Sequence, residues 1–520
     1  MNSNRNMLKK FSMCALLVIL GLIVSINIFA SSTNKESSDA PTVPLKPTLV
    51  VAMKNDPKTL DPQRSIDTMS NKSLDLIYDS LFEYDENLNV HPVLVESWER
   101  PDQYHSIFRL KKGIKFHNGD ELKAEDVKFT LERAAVSPQV MFQYNPIAEV
   151  IVIDDYTVNV VTKTPYGALI QALAGIQSGI VNKKTVEKYG DDYINHPIGT
   201  GQYKFKEWLP GNRIVFEGFD EYFRGAPKIK EITFRTIPEV SNRLIALETG
   251  EADMAFDVGL MDKDVILKNP NLELLEVESP SLLYLGFDQT VPKYQNKNLR
   301  YAIAYAIDNN IFVDTIFKGS AVAAVAPIAK ASIAYNPNVK RFDQDVEKAK
   351  QYLKDAGYPN GLNLELWVSD DGPRIDMCVI IQDQLSAIGI NAEIKVFEFG
   401  SYVSKTALSG KDLYFLSWNY SGDGDASLYP LFHSSQHGSS GNRSFYTNKE
   451  VDDLLDKARV SIDQNERTEL YQKAQEIIQD DLPHYTLVYP MLNIAKNVKV
   501  KGLVFKKNGY INVLNTYVEK

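Results

Sequence analysis

Apolar and polar residues alternate along this chain in short runs of period two, and runs of helical period follow them. The clearest example lies at 96–131. Residues 106–116 predict two short strands joined by a tight turn, and the residues at 117–120 predict a second turn. An amphipathic helix is expected to begin near Lys123, because acidic residues occupy its first turn and apolar residues continue one face. Nothing in this segment is typical of a catalytic site.

The same two periods continue to the end of the chain. Strands are predicted at 48–53, 145–164, 203–219, 230–237, 282–287, 363–368, 391–396, 485–489 and 501–505. Helices are predicted at 73–82, 169–174, 240–249, 299–308, 346–356, 374–388, 448–461 and 464–480. Strands that alternate with helices through short Gly/Pro loops indicate an α/β fold with partly parallel sheets. Two or more lobes are expected, because 520 residues exceed what one hydrophobic core accommodates.

The first thirty residues differ from the rest. Three basic residues precede an apolar run at 15–28, which is typical of a secretory signal peptide with cleavage after Ala30. An uncleaved anchor is the alternative, although the run is shorter than the roughly 20 residues of a transmembrane helix. Residues 31–46 are polar and contain prolines, so they predict a flexible tether. Either interpretation places the remaining chain outside the membrane.

The cysteines and the net charge exclude several classes of structure and partner. Cys14 precedes the apolar run, so it is interpreted as an ordinary signal residue and not as a lipidation site. Cys378 is the only cysteine after residue 30, which excludes an internal disulfide in the cleaved chain. Loss of three positive charges with the signal peptide takes the formal charge from −10 to −13. A chain this acidic is not expected to bind nucleic acid or an anionic membrane.

An ordered set of segments carries a family resemblance. It includes NDPKTLDP at 55–62, DSLFEYDENLNVHPVLVESW at 79–98, the segment at 96–131, and further on PIGTGQYKFKEW, ALETGEADMAF and LRYAIAYAID. Over about 47–510 the chain resembles the bacterial extracellular solute-binding proteins that deliver oligopeptides, dipeptides or nickel to ABC importers. The resemblance implies a two-lobed clamshell with mixed sheets.

The implied domain organisation follows the family order. The lobe I core would comprise 47–82, 202–283 and 490–520, with an extra subdomain at 83–201. Lobe II would comprise 284–489, and the chain would cross between the lobes near 282–288 and 484–492.

The resemblance also implies a function without catalysis. Ligand that contacts both lobes only after closure shifts the equilibrium toward the closed state. The expected ligand is an extended oligopeptide, and the expected partners are the membrane permease and ATPase of an importer. A monomer without a cofactor is expected, at the outer face of the membrane or in the periplasm. Nickel or a metal chelate is the alternative ligand.

The candidate site lies at 418–432, WNYSGDGDASLYPLF, which resembles the family segment that receives the ligand's α-amine. An anionic carboxylate in a desolvated cleft suits an ammonium group. Asp423 is the first candidate and Asp425 the second, because Ser421 occupies the position of the aspartate in many relatives. The Gly-Asp-Gly-Asp run also fits a plain turn, and it lacks the last acidic ligand of a calcium-binding loop.

The family resemblance also implies further residues that would line the cleft. The resemblance places Trp418, Asn419 and Tyr420 along the cleft, although aromatic residues at a strand end are more often core. Main-chain pairing with a peptide is expected at 282–286, which includes Tyr284, and at the Thr59–Leu60 loop. The candidates for a carboxylate partner are Arg374 and Arg443. Since neither is an evident clamp, longer peptides are favoured.

The sequence offers little support for a metal site or an enzyme. His433 and His437 have the four-residue spacing of a zinc helix, but the serines and glycine around them favour a loop. The sequence contains no G-x-S-x-G or H-E-x-x-H pattern. Cys378 lies on an apolar helical face, so buried packing is the expected role. The chain is therefore predicted not to be an enzyme.

Overall fold

The computed structural model describes residues 44–419, 423–438 and 441–520. The predicted signal peptide at 1–30 and residues 31–43 of the predicted tether lie outside the described residues. Residues Leu45–Lys520 form one unit. Within the described ranges, no helix is both long enough and apolar enough to span a membrane.

Lobe I is built on one half of a 12-stranded sheet. Its central strand pairs in parallel with two neighbours and has apolar residues on both faces, which explains why helices and loops cover both sides. The strands are Tyr203–Leu209, Arg213–Gly218, Glu231–Thr236, Thr48–Met53 (the central strand), Met254–Phe256 and Leu272–Glu278. The helices are Thr68–Ile77, Val240–Glu248 and Lys263–Lys268, with 3-10 turns at Pro62–Arg64 and Leu260–Asp262.

Short strands from the start and the end of the described chain complete lobe I. Leu45–Lys46, Tyr517–Glu519 and Val500–Lys501 form a three-stranded sheet, and Val504–Phe505 pairs with Ile511–Asn512.

A subdomain with its own core is inserted after the first helix of lobe I. Its antiparallel sheet has the order Val95–Glu99, His105–Leu110, Thr157–Thr162 and Ile147–Asp154, and a hairpin joins Phe82–Tyr84 to Val90–Pro92. Its helices are Ala124–Val136, Met141–Tyr144, Leu169–Ala172 and Lys183–Tyr189, with 3-10 turns at Ile176–Ser178 and Gly190–Asn195. The helix after Lys123 agrees with the prediction, whereas the second short strand of 106–116 is reduced to a single bridge between Lys115 and Glu121.

Lobe II forms the other half of the large sheet. Its strands are Ile390–Phe397, Leu362–Ser369, Leu413–Asn419, Ser281–Phe287 and Ala321–Ala323. Its helical segments are Pro292–Gln295, Lys297–Ala306, Asn309–Ile311, Phe312–Ile316, Val346–Asp355, Gly372–Ser386, Phe399–Thr406, Gly424–Phe432, Ser434–Gln436, Lys449–Val460 and Gln464–Asp481. One apolar cluster lies between the sheet and the helices at 297–385, and a second lies beneath the helices at 424–481.

One long strand, His484–Asn497, belongs to both lobes and is called the shared strand below. Its first part pairs with Ser281–Phe287 of lobe II, and its second part pairs with Leu272–Glu278 of lobe I. The sequence predicted a strand only at 485–489. The strand is longer because its residues are covered in one lobe and then in the other.

The first helix of lobe I begins earlier than the prediction at 73–82. Asp67 caps it by accepting a hydrogen bond from the Ser70 amide at 2.9 Å, and the helix ends at Ile77. Phe82 already belongs to the subdomain hairpin. Aspartate is a favoured N-cap residue, so Asp67 carries a sequence signal for this earlier start.

Candidate functional site

A cleft of about 1310 Å³ lies between the two lobes. It exceeds the roughly 300–1000 Å³ of typical small-molecule pockets, so it has room for a ligand of peptide size. Lobe I lines it near the first helix, the subdomain lines it within 139–177, and lobe II lines it within 419–436 and 456–460. The start of the strand Ser281–Phe287 also reaches the cleft.

Asp423 lies at the cleft and caps the helix Gly424–Phe432, where one carboxylate oxygen accepts a hydrogen bond from the Asp425 amide at 2.8 Å. Its other oxygen accepts a hydrogen bond from the guanidinium of Arg467. The side chains of both residues are almost fully buried, at 4% and 1% exposed. Burial alone would lower the pKa of Arg467, but Asp423 raises that pKa above its ordinary value. The carboxylate of Asp423 is therefore already engaged within the protein.

A glycine is required at position 424 because the helix begins in contact with an aromatic ring. A Cβ at this position would lie 2.6 Å from the ring of Tyr471. The same tyrosine accepts a hydrogen bond from Arg467 at 3.2 Å. Residues 423–425 of the Gly-Asp-Gly-Asp run thus form a tightly packed helix start, not only an exposed turn.

Asp425 has a different environment. Asp425 lines the cleft, and its Oδ1 is buried without a hydrogen-bond partner among the described residues. The same oxygen lies 3.6 Å from Nε of Arg459. Burial raises the pKa of Asp425, and neighbouring Asp423 raises it further, whereas Arg459 lowers it. Of the two candidate carboxylates, Asp425 is the one with unused acceptor capacity.

Arg459 also lines this part of the cleft and was not among the predicted site residues. The guanidinium carbon lies 4.0 Å from the ring centre of Tyr429, and the side chain is 30% exposed. Arg459 occupies the last turn of a helix, where a basic residue usually complements the helix dipole. The sequence therefore carried no signal for a ligand contact.

Arg374 and Arg443, the predicted candidates for a carboxylate partner, form hydrogen bonds within lobe II. Arg374 donates a hydrogen bond to the hydroxyl of Ser417 at 3.1 Å. Arg443 donates to the carbonyl of Val403 at 2.7 Å and to the hydroxyl of Thr406. Neither lines the cleft described above.

Of the remaining predicted site residues, some lie at the cleft and others lie in the core. Asn419 lines the cleft, and Tyr420 lies outside the described residues. Trp418 is half-buried and donates a hydrogen bond from Nε1 to the carbonyl of Ala426 at 3.3 Å. Leu60 and Tyr284 are core residues, at 0% and 2% exposed, and neither lines the cleft.

The expected peptide-pairing edge at 282–286 is covered. Over Leu283–Gly286 the strand pairs on one side with Leu413–Asn419 and on the other with the shared strand. A ligand backbone can therefore approach only the start of this strand, where Ser279, Pro280 and Ser281 line the cleft.

The two histidines of the polar loop have internal partners. His433 is buried, stacks on Tyr429 and shares a hydrogen bond with Ser435 at 2.7 Å. His437 shares a hydrogen bond with the carbonyl of Tyr446 at 2.9 Å. Among the described residues, no three His, Cys, Asp or Glu side chains are grouped to hold a metal ion.

Two α/β lobes that share a strand and enclose a charged cleft define a clamshell binding protein. The chain belongs to the bacterial extracellular solute-binding proteins of family 5, because the family profile described as "Bacterial extracellular solute-binding proteins, family 5 Middle" matches residues 89–439. The predicted family and fold class are thereby confirmed. Members of this family bind solutes for ABC importers and are not enzymes, as predicted.

Three comparisons illustrate the range of similar proteins. The glutathione-binding protein GsiB of Salmonella typhimurium is 32% identical over 501 residues, which cover 94% of this chain and 95% of that protein. The structure of the periplasmic binding protein DppA from Helicobacter pylori, in complex with the peptide STSA, is 30% identical with a TM-score of 0.76, over 91% of this chain and 98% of that one. NikZ from Campylobacter jejuni, in complex with Ni(L-His), is 25% identical with a TM-score of 0.76, over 89% and 97%.

Cys378 is buried and free. Burial raises the pKa of its thiol far above the ordinary value, so the reactive thiolate is disfavoured. This environment agrees with the packing role expected from the sequence.

Proposed function

We propose that this protein is a monomeric receptor that captures short peptides by closing its lobes and delivers them to the permease and ATPase of an ABC importer. The observation that carries the proposal is the position of Asp425 and Arg459, which bring opposite charges to one wall of a peptide-sized cleft. The predicted signal peptide at 1–30 would export the chain to the outer side of the membrane.

The geometry favours Asp425 over Asp423 as the partner of a ligand ammonium. Asp423 already accepts hydrogen bonds from Arg467 and from the Asp425 amide. Among the residues that the structure describes, Asp425 has only the ion pair with Arg459 at 3.6 Å, which is longer than a hydrogen bond. An ammonium group at Asp425 would satisfy a buried carboxylate and offset the cost of its burial.

Arg459 is the proposed partner of a ligand carboxylate. A guanidinium presents several N–H donors in a planar fork that matches a carboxylate. Because Arg459 and Asp425 are adjacent, a ligand with an ammonium and a carboxylate close together could contact both. Glutathione carries both groups on the α-carbon of its γ-linked glutamate, and similarity to GsiB over 94% of the chain supports it as the first candidate. This arrangement favours short peptides over the extended oligopeptides expected from the sequence.

Mass spectrometry of ligand released from the purified protein tests the proposal directly. We expect glutathione or another short peptide at near-equal molar ratio. Calorimetry should then show binding of reduced glutathione or of Ser-Thr-Ser-Ala, and weaker binding after acetylation of the amine. Release of a metal chelate, or equal binding of the acetylated and free forms, would refute this function.

A further inference from the structure

The two lobes touch beside the cleft at a glycine. Gly167 lies in the subdomain between Tyr166 and Ala168, which both line the cleft. Its amide donates a hydrogen bond to the carbonyl of Arg459 in lobe II at 2.9 Å. A second contact lies one helical turn away, where the side-chain Nε2 of Gln171 donates a hydrogen bond to the side-chain Oε1 of Gln464 at 2.8 Å.

The contact at Gly167 leaves no room for a side chain. A Cβ built there would lie 1.8 Å from the Ser461 carbonyl oxygen and 2.2 Å from Nη1 of Arg467. Both atoms belong to lobe II, and none of the three nearest atoms belongs to lobe I. The backbone of Gly167 is not in the left-handed region, so an alanine is conformationally permitted.

We infer that Gly167 is a positioning residue for ligand capture: its missing side chain is what allows lobe I to reach lobe II at the ligand site. Arg467 links this contact to the cleft, because the guanidinium beneath Gly167 also holds Asp423 at the helix start. The carbonyl of Arg459 accepts the hydrogen bond from the Gly167 amide, and the side chain of Arg459 lies next to Asp425. Lobe contact and cleft geometry therefore depend on the same residues.

The Gly167→Ala variant separates closure from folding. Real Cβ atoms do not approach other atoms below about 3.0 Å, so the lobes would have to separate here by about 1.2 Å from the 1.8 Å contact. Loss of the Gly167–Arg459 hydrogen bond alone corresponds to roughly 2- to 12-fold in affinity. Widening of the cleft weakens the ligand contacts as well, so we expect affinity to fall at least about 10-fold. The matched control is Gly372→Ala in lobe II, where a Cβ meets no atom within 4 Å.

Three measurements test the inference. Calorimetry with reduced glutathione and with Ser-Thr-Ser-Ala gives the affinities. Thermal melting of ligand-free protein should be the same for wild type, Gly167→Ala and Gly372→Ala. Cross-linking of a Gln171→Cys/Gln464→Cys pair with a short bismaleimide reports lobe contact without knowledge of the ligand, and a casein digest can be added as a peptide mixture.

We expect Gly167→Ala to suppress the cross-link both with and without peptides, whereas Gly372→Ala should cross-link as the wild type does. Wild-type cross-linking and affinity in Gly167→Ala would overturn the inference. A lowered melting temperature, or failure to fold, would also overturn it, because Gly167 would then serve its own lobe and not the contact between lobes.

Discussion

Replacement of Asp425 by Asn is the sharpest test of the proposed binding site, with Asp423→Asn as its matched control. The two carboxylates are separated by a single residue and both line the cleft, but only Asp423 is paired with a buried arginine. Removal of one partner from a buried ion pair costs about 3–5 kcal/mol. The Asp423→Asn variant should therefore lose stability, by roughly 6–20 °C in melting temperature for a lobe-sized domain.

Asp425→Asn should behave in the opposite way. Burial raises the pKa of Asp425, which means that desolvation disfavours its charged form. The amide should therefore leave the melting temperature unchanged or slightly higher. Loss of the charge opposite a desolvated ligand ammonium should cost about 2–5 kcal/mol, which is roughly 30- to 5000-fold in affinity.

A double-mutant cycle measured by calorimetry decides whether ammonium and carboxylate touch. Its four members are wild type and Asp425→Asn, each with the free and the amine-acetylated peptide. If the groups touch, the two losses should be far from additive. Full additivity would refute the assignment of Asp425. If Asp423→Asn left the melting temperature unchanged and weakened binding more than Asp425→Asn did, Asp423 would be the anchor.

Three further outcomes are expected. Small-angle scattering should show a monomer whose radius of gyration decreases with a saturating peptide mixture, and an unchanged radius would contradict hinge closure. Purified protein should retain no stoichiometric nickel after desalting, whereas nickel that is lost on replacing His433 or His437 would support metal transport. Burial raises the pKa of Asp79 to about 6, although hydrogen bonds from Thr200 and Tyr222 oppose this. Since the fold then binds this proton more tightly than the unfolded chain does, the contribution of Asp79 to stability should fall as the pH rises from 4 to 7. The difference in melting temperature between wild type and Asp79→Asn should therefore change over that pH range, and a constant difference would contradict the raised pKa.

Many elements of the fold could be predicted because their signals are local. Apolar periodicity located the helices at 346–356, 374–388 and 464–480 to within a few residues, and the ordered family segments identified the clamshell. Asn419, Asp423 and Asp425 of the segment at 418–432 line the cleft, and their contact with a ligand stays a prediction.

Only the tertiary structure decided which groups in that cleft remain free. Asp423 is paired with Arg467, 44 positions further along the chain, and nothing in the spacing of either residue indicates this contact. Arg459 resembles a helix-terminal charge until packing brings it beside Asp425. The expected peptide-pairing edge at 282–286 is not free, because the shared strand pairs with it. Periodicity reports which side of an element is buried, whereas ion pairs, strand neighbours and lobe contacts such as Gly167 depend on residues that meet only after the chain has folded.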